Sequence, residues 1–161
     1  MILNDKTIAK YVDSGKINVE PQIEPEQIQP ASLDVRMGPK LYDCHREVMN
    51  DFSDSGEIVI QPGNLYLGHT LDYVEIPKDL AAMLTGRSSV ARQGLVVHFT
   101  AGWIDPNFKG EITLEMYNFS GQPIVFQVGE RIAQLVFFKL SEPSKGYNGR
   151  YQRQTGPTKP V

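Results

Sequence analysis

Two hydroxyls and two guanidiniums crowd into the run Gly86-Arg87-Ser88-Ser89-Val90-Ala91-Arg92. A glycine there lets the backbone turn closely, and a helical turn starting near Ser88 would add free N–H groups to the hydroxyls and the Arg forks. That combination suits a phosphate chain. It lacks the Gly-Lys-Ser/Thr of a Walker loop, and a serine-capped turn with surface arginines would use the same residues. A second candidate is the turn Thr100-Ala-Gly-Trp-Ile-Asp-Pro-Asn-Phe-Lys-Gly110. Asp105 before Pro106 suits an Asx turn, while Gly102 and Trp103 would suit a sugar and base lying against backbone. In the stretch that follows, Ile112, Leu114 and Met116 alternate with Glu111, Thr113, Glu115 and Tyr117. Glu115 therefore faces away from the apolar side, as a solvated carboxylate or as a general acid/base on the floor of a pocket.

Other chemistries find little support. His45, His69 and His98 are scattered, with no HxE or HxxxH pair and no CxxC, so the zinc-deaminase signature is missing. No Gly-x-Ser-x-Gly elbow is present. Cys44 is the one cysteine, which forbids an internal disulfide and fits a reducing, cytoplasmic compartment. With 16 Lys and Arg against 19 Asp and Glu, the net charge is −3, and duplex nucleic acid is not an expected partner. No apolar run is long enough to cross a membrane.

These groups need elements to hold them. The 161 residues are about one domain's worth, and 14 Gly and 11 Pro favour a turn-rich fold over a helical bundle. Asn4, then Ile8, Tyr11 and Val12 at helical spacing, then Gly15, predict a helix over 5–14. From Glu57 the pattern is strand and turn, with strands expected at 57–61, 65–76, 80–85, 94–101, 111–119, 124–127 and 131–140. The expected class is all-β with a short N-terminal helix: a sandwich, jelly roll or barrel. The segment 21–30 reads as a loop, and 141–161 as an arm of the single domain 1–161.

Gln29-Pro-Ala-Ser-Leu-Asp34, Gly86 to Arg92, Thr100 to Gly110, Thr113-Leu-Glu115, Glu130-Arg-Ile-Ala-Gln-Leu135 and Tyr151-Gln-Arg-Gln-Thr-Gly-Pro157 share order and spacing with a known family. Together they resemble the dCTP deaminase branch of the dUTPase superfamily, over nearly the whole chain. The resemblance implies a distorted jelly roll (β-clip) assembled as a homotrimer, with nucleotide sites between subunits closed by the C-terminal arm. It implies zinc-independent deamination of dCTP, with dTTP as an inhibitor and Mg²⁺ arriving on the triphosphate rather than on protein side chains.

Residue by residue, Glu115 matches the family's catalytic glutamate, supported by Ser88 and Arg92. The nucleotide-binding stretch Arg87, Ser88, Ser89, Val90, Ala91 and Arg92 is matched, as are Ala101, Thr113, Leu114 and Gln134. Asp105 matches the residue that contacts the deoxyribose; Tyr147, Arg150 and Gln154 match the arm's phosphate contacts. Gly102-Trp103 and Gln134 resemble the type that also cleaves the triphosphate, giving dUMP, ammonia and pyrophosphate for thymidylate synthesis. The rival readings are a deaminase that stops at dUTP, a dUTPase without deaminase activity, and a nonenzymatic nucleotide-binding jelly roll. Three positions depart from the family pattern: the arm is short, Asn107 stands where glycine is frequent, and Gln93 where an apolar residue is.

Overall fold

The computed structural model describes residues 1–160, so the last residue assigned to the arm, Val161, lies outside the described residues. The expected helix is present as α1 (Asp5–Asp13). The Asn4 side chain accepts a hydrogen bond from the Thr7 N–H at 3.1 Å, a cap worth about 1 kcal/mol, and Ile8 is buried beneath. A single helical turn, α2 (Ser88–Ala91), forms at the Ser-Ser run.

The rest is strand and turn. In chain order the strands are β1 (Asn18–Glu20), β2 (Ile28–Gln29), β3 (Ser32–Arg36), β4 (Lys40–Asp43), β5 (Val48–Asp51), β6 (Glu57–Ile60) and β7 (Leu65–Glu75). They continue as β8 (Leu80–Gly86), β9 (Leu95–Val96), β10 (Trp103–Ile104), β11 (Lys109–Asn118), β12 (Ile124–Gln127) and β13 (Arg131–Lys139). One sheet runs β5-β4-β7-β11-β9, with β1 also on β7; a second runs β10-β8-β13-β3-β2; β12 and β6 form a separate ladder. Neighbours in all three are antiparallel. Leu33, Val35, Leu84, Leu114, Met116, Leu135 and Phe137 meet in one apolar core between the sheets. The all-β class with a short N-terminal helix is as expected.

Two differences from the sequence reading have physical causes. Strands β1 to β5 precede Glu57, where none is expected, and the segment 21–30, read as a loop, holds a 3₁₀ turn (Pro25–Gln27) and β2, which pairs with β3. All five residues of β3 are buried, Asp34 and Arg36 included, because those charges are paired inside the fold. No alternation marks such a strand. The strand expected over 94–101 shrinks to β9, since after Val96 the chain leaves the first sheet and crosses to the second, where β10 pairs with β8. That crossing carries residues 97–102 past the end of β11.

Candidate active site

β11 is the foundation. Its residues alternate strictly, with Ile112, Leu114 and Met116 buried and Glu111, Thr113, Glu115 and Tyr117 half-buried on the opposite face. Thr113 and Glu115 enter a cavity of about 500 Å³. The crossing segment supplies one wall with Ala101, Trp103 and Asp105, and Phe108 follows from the turn. The arm provides Tyr147, Tyr151, Gln154 and Thr158.

The two carboxylates in the cavity are both held. Glu115 Oε2 accepts the Phe99 N–H at 3.3 Å. The Trp103 indole Nε1–H donates to Asp105 Oδ1 at 3.2 Å, while its ring leans on Phe138 with centroids 5.7 Å apart. Asp105 also closes a turn, its carbonyl accepting the Phe108 N–H at 3.2 Å. Asn107 sits in that turn at φ 68°, a left-handed conformation that asparagine tolerates better than most residues, which explains why it can replace glycine. Gly102 is fixed by packing: a Cβ there would lie 2.7 Å from the Leu84 carbonyl oxygen.

The arm is docked on the chain's own β11 as a short parallel neighbour, bridging Gln154 to Gly110. The Arg153 N–H donates to the Lys109 carbonyl at 2.7 Å and the Glu111 N–H to the Gln154 carbonyl at 3.0 Å. The Gln154 amide returns to the Glu111 carbonyl at 2.8 Å. Gln152 adds a side-chain acceptor for the Lys109 N–H at 2.8 Å.

The phosphate candidates lie elsewhere. Ser88, Ser89, Ala91 and Arg92 are exposed on and just after α2 and do not line this cavity. Val90 is buried as the anchor of that turn, and Leu114 is fully buried in the core, which leaves their backbones alone to meet a ligand. Arg87 is already engaged: its Nε is 2.9 Å from Asp34 Oδ2 and its Nη1 donates to the Arg131 carbonyl at 2.9 Å. Burial pushes the Asp34 carboxyl above the usual aspartate range, opposed by the adjacent Arg87 and Arg131. Gln134 is likewise committed, donating to the Gly86 carbonyl at 3.2 Å and accepting from the Ser32 hydroxyl at 2.8 Å. Arg150 is exposed and outside the cavity.

One chain thus brings together Glu115, Thr113, Ala101, Asp105, Tyr147 and Gln154, and keeps Arg87, Ser88, Ser89, Arg92 and Gln134 apart from them. Phe108 and Tyr151, which the sequence marks only as parts of longer motifs, and Thr158, which it does not mark, join the lining. A further pair, His69 and Glu111, sits just behind the arm; that Glu111 shares a face with Thr113 and Glu115 was the one available signal. Among the described residues no three His, Cys, Asp or Glu converge in a way that could hold a metal ion, and no helix is long and apolar enough to cross a membrane.

Two antiparallel sheets joined across such a cavity define a dUTPase-like fold. The chain superposes on the crystal structure of 2′-deoxycytidine 5′-triphosphate deaminase from Agrobacterium tumefaciens with a TM-score of 0.73 and 25% identity, over 84% of its own length. It spans 47% of that chain, about half its length. The native dUTPase of EIAV shares the fold at a TM-score of 0.57 and 22% identity, over 80% of this chain and 92% of that one. Residues 2–140 match the family model described as dCTP deaminase-like, and the chain belongs to that family. A relative from Kocuria rhizophila named "dCTP deaminase, dUMP-forming" is 38% identical over 179 residues, taking in 98% of this chain and 93% of that one. The alignment exceeds this chain's 161 residues, so the relative carries residues that this chain lacks.

Proposed function

We propose that this protein deaminates dCTP and cleaves the triphosphate, releasing dUMP, ammonia and pyrophosphate. The observation that carries the proposal is Glu115, half-buried on the floor of the cavity in a chain of the dCTP deaminase-like family. The name of the Kocuria relative supports the dUMP-forming version.

Two waters are consumed. In the first step Glu115 takes a proton from a water that attacks C4 of the cytosine ring; the new C4–O bond forms, protons pass to N3 and the exocyclic nitrogen, and the C4–N bond breaks to release ammonia. In the second, water attacks the α-phosphorus and the bond to the β-phosphate breaks, with pyrophosphate as leaving group. Asp105 accepts the deoxyribose 3′-hydroxyl with the oxygen that Trp103 leaves free. Tyr147, Gln154 and the exposed Arg150 close over the phosphates. Mg²⁺ travels with the triphosphate and neutralises part of its charge.

The polyphosphate end of the site is proposed to come from a second copy in a homotrimer. Ser88, Ser89 and Arg92 are exposed and absent from their own chain's cavity, which is what a contribution to a neighbour's site requires. Arg87 then acts by holding the turn in place through Asp34.

The test is incubation with dCTP and Mg²⁺ followed by separation of dCTP, dUTP, dUMP and pyrophosphate. Equal amounts of dUMP, ammonia and pyrophosphate with no free dUTP are expected. dUTP building up in step with ammonia reduces the enzyme to a simple deaminase, a reading that the commitment of Gln134 to Ser32 and Gly86 favours. Turnover of dUTP without turnover of dCTP would make it a dUTPase, and binding without turnover a nonenzymatic protein.

A further inference from the structure

Behind the arm, a histidine and a glutamate that the proposed reaction does not use meet at one oxygen atom. His69, on β7, is 4% exposed, and its ring is pressed so closely against Gly38 that a Cβ there would lie 2.4 Å from it. Its Nε2 accepts the Lys40 N–H at 3.1 Å, which places the ring proton on Nδ1. That Nδ1–H donates to Glu111 Oε2 at 2.7 Å. The same oxygen accepts the N–H of Gly156, from the arm, at 2.5 Å. A bond from the Thr158 N–H to the Thr113 hydroxyl, at 3.1 Å, lies immediately beyond.

We propose that Glu111, oriented by His69, is a positioning residue that latches the C-terminal arm onto β11 and so holds Tyr147, Tyr151 and Gln154 over a nucleotide bound at Glu115. The geometry gives each partner one role. Gly38 and the Lys40 N–H leave the imidazole a single orientation, the imidazole fixes the Glu111 carboxylate, and the carboxylate offers a charged acceptor to a backbone N–H of the arm. A charged acceptor makes a stronger bond than the neutral backbone carbonyls along the rest of the arm, so Glu111 is the strongest point of attachment. Glu111 also belongs to the same strand as Glu115, which ties the position of the arm rigidly to the catalytic carboxylate.

The role of the arm rests on the proposed function, but the latch can be read without nucleotide. Hydrogen exchange of the amides at 152–158 in the full chain measures arm opening, with the amides of β8 and β13 as the control for global unfolding. Glu111→Ala is expected to speed exchange of the arm amides about tenfold or more while leaving β8 and β13 protected, as loss of a charge-assisted bond implies. In the same variant KM for dCTP is expected to rise about tenfold while kcat at saturating dCTP stays within about threefold, the split that weaker binding without damaged chemistry produces. Glu111→Gln keeps an oxygen acceptor and should fall between wild type and Glu111→Ala in both measurements. Arm exchange and KM unchanged in Glu111→Ala would overturn the latch; if that variant does not fold, wild-type exchange and KM in Glu111→Gln would do so. An arm that opens in Glu111→Ala of a protein with no dCTP turnover would keep the latch and sink the proposed function. Full turnover with an unmoved arm would do the reverse.

Discussion

The two halves of the candidate site are built in opposite ways. The cavity half is assembled within one chain: β11 sets Thr113 and Glu115 on its floor, the crossing segment brings Asp105 and Trp103, and the arm covers them. The α2 half presents Ser88, Ser89 and Arg92 to solvent, yet its base is rigid, because Arg87, Asp34, Arg131, Gln134 and Ser32 tie it to the second sheet. On the function proposed above, the base-and-sugar chemistry would be a property of the fold and the polyphosphate grip a property of the assembly.

The largest effect should come from the floor of the cavity. Glu115→Gln preserves size and hydrogen bonding but removes the proton acceptor, so deamination should fall by about a hundredfold to ten-thousandfold while nucleotide binding, measured by calorimetry, survives. Full deaminase activity in that variant would take Glu115 out of the reaction.

The contrast between the halves is broken or sharpened by Arg92→Ala. Arg92 is exposed, so the variant should fold, and loss of a charged bond to phosphate should raise KM for dCTP by roughly tenfold to a hundredfold with a smaller change in kcat. Mixed oligomers of Glu115→Gln and Arg92→Ala subunits, assayed at dCTP well below the raised KM, should then exceed the activity of either variant alone, because some sites would combine one intact half from each. No recovery would place both halves in the same chain.

The smallest effect belongs to His69. Burial holds its imidazole below the ordinary value of about 6.5, outweighing the pull of Glu111, and Lys40 lowers it further; Asp51 on β5 is the other charge that bears on the ring. The folded chain therefore favours the neutral ring, and as pH falls the unfolded chain takes up the proton first. Stability from this group is complete above about pH 6.5 and declines as pH falls from there toward the lower folded value, by at most about 1.4 kcal/mol per pH unit. Denaturation midpoints measured between about pH 7.5 and 5.5 should show that decline, and His69→Gln should flatten it. The same slope in the variant would assign the decline to other groups.

Much of this was legible in the chain, for reasons that differ by element. β11 declares itself because Ile112, Leu114 and Met116 alternate with polar residues, and that alternation also gives the direction of Glu115. β3 hides because Asp34 and Arg36 look like surface residues until their partners, Arg87, Arg131 and Asp72, are known. The crossing segment misleads because Leu95-Val96-Val97 has strand composition, while the change of sheet depends on pairing with β8. The arm has no periodicity to read, as its docking uses backbone groups and two glutamines. The His69–Glu111 contact joins residues 42 apart in sequence, which local spacing cannot reveal.

The arm's seat on β11 has one more consequence, for solubility. Beyond Asn118 and Tyr117, where β9 pairs, the outer side of β11 has no strand beside it in its own sheet among the described residues, and Gln152, Arg153 and Gln154 occupy the backbone groups of Lys109 and Glu111 there. Lifting the arm bares a row of amide and carbonyl groups on an extended strand, the template on which other chains add edge to edge. The segment that covers the cavity therefore also covers this stretch of strand edge, and shortening it would open the one and expose the other together.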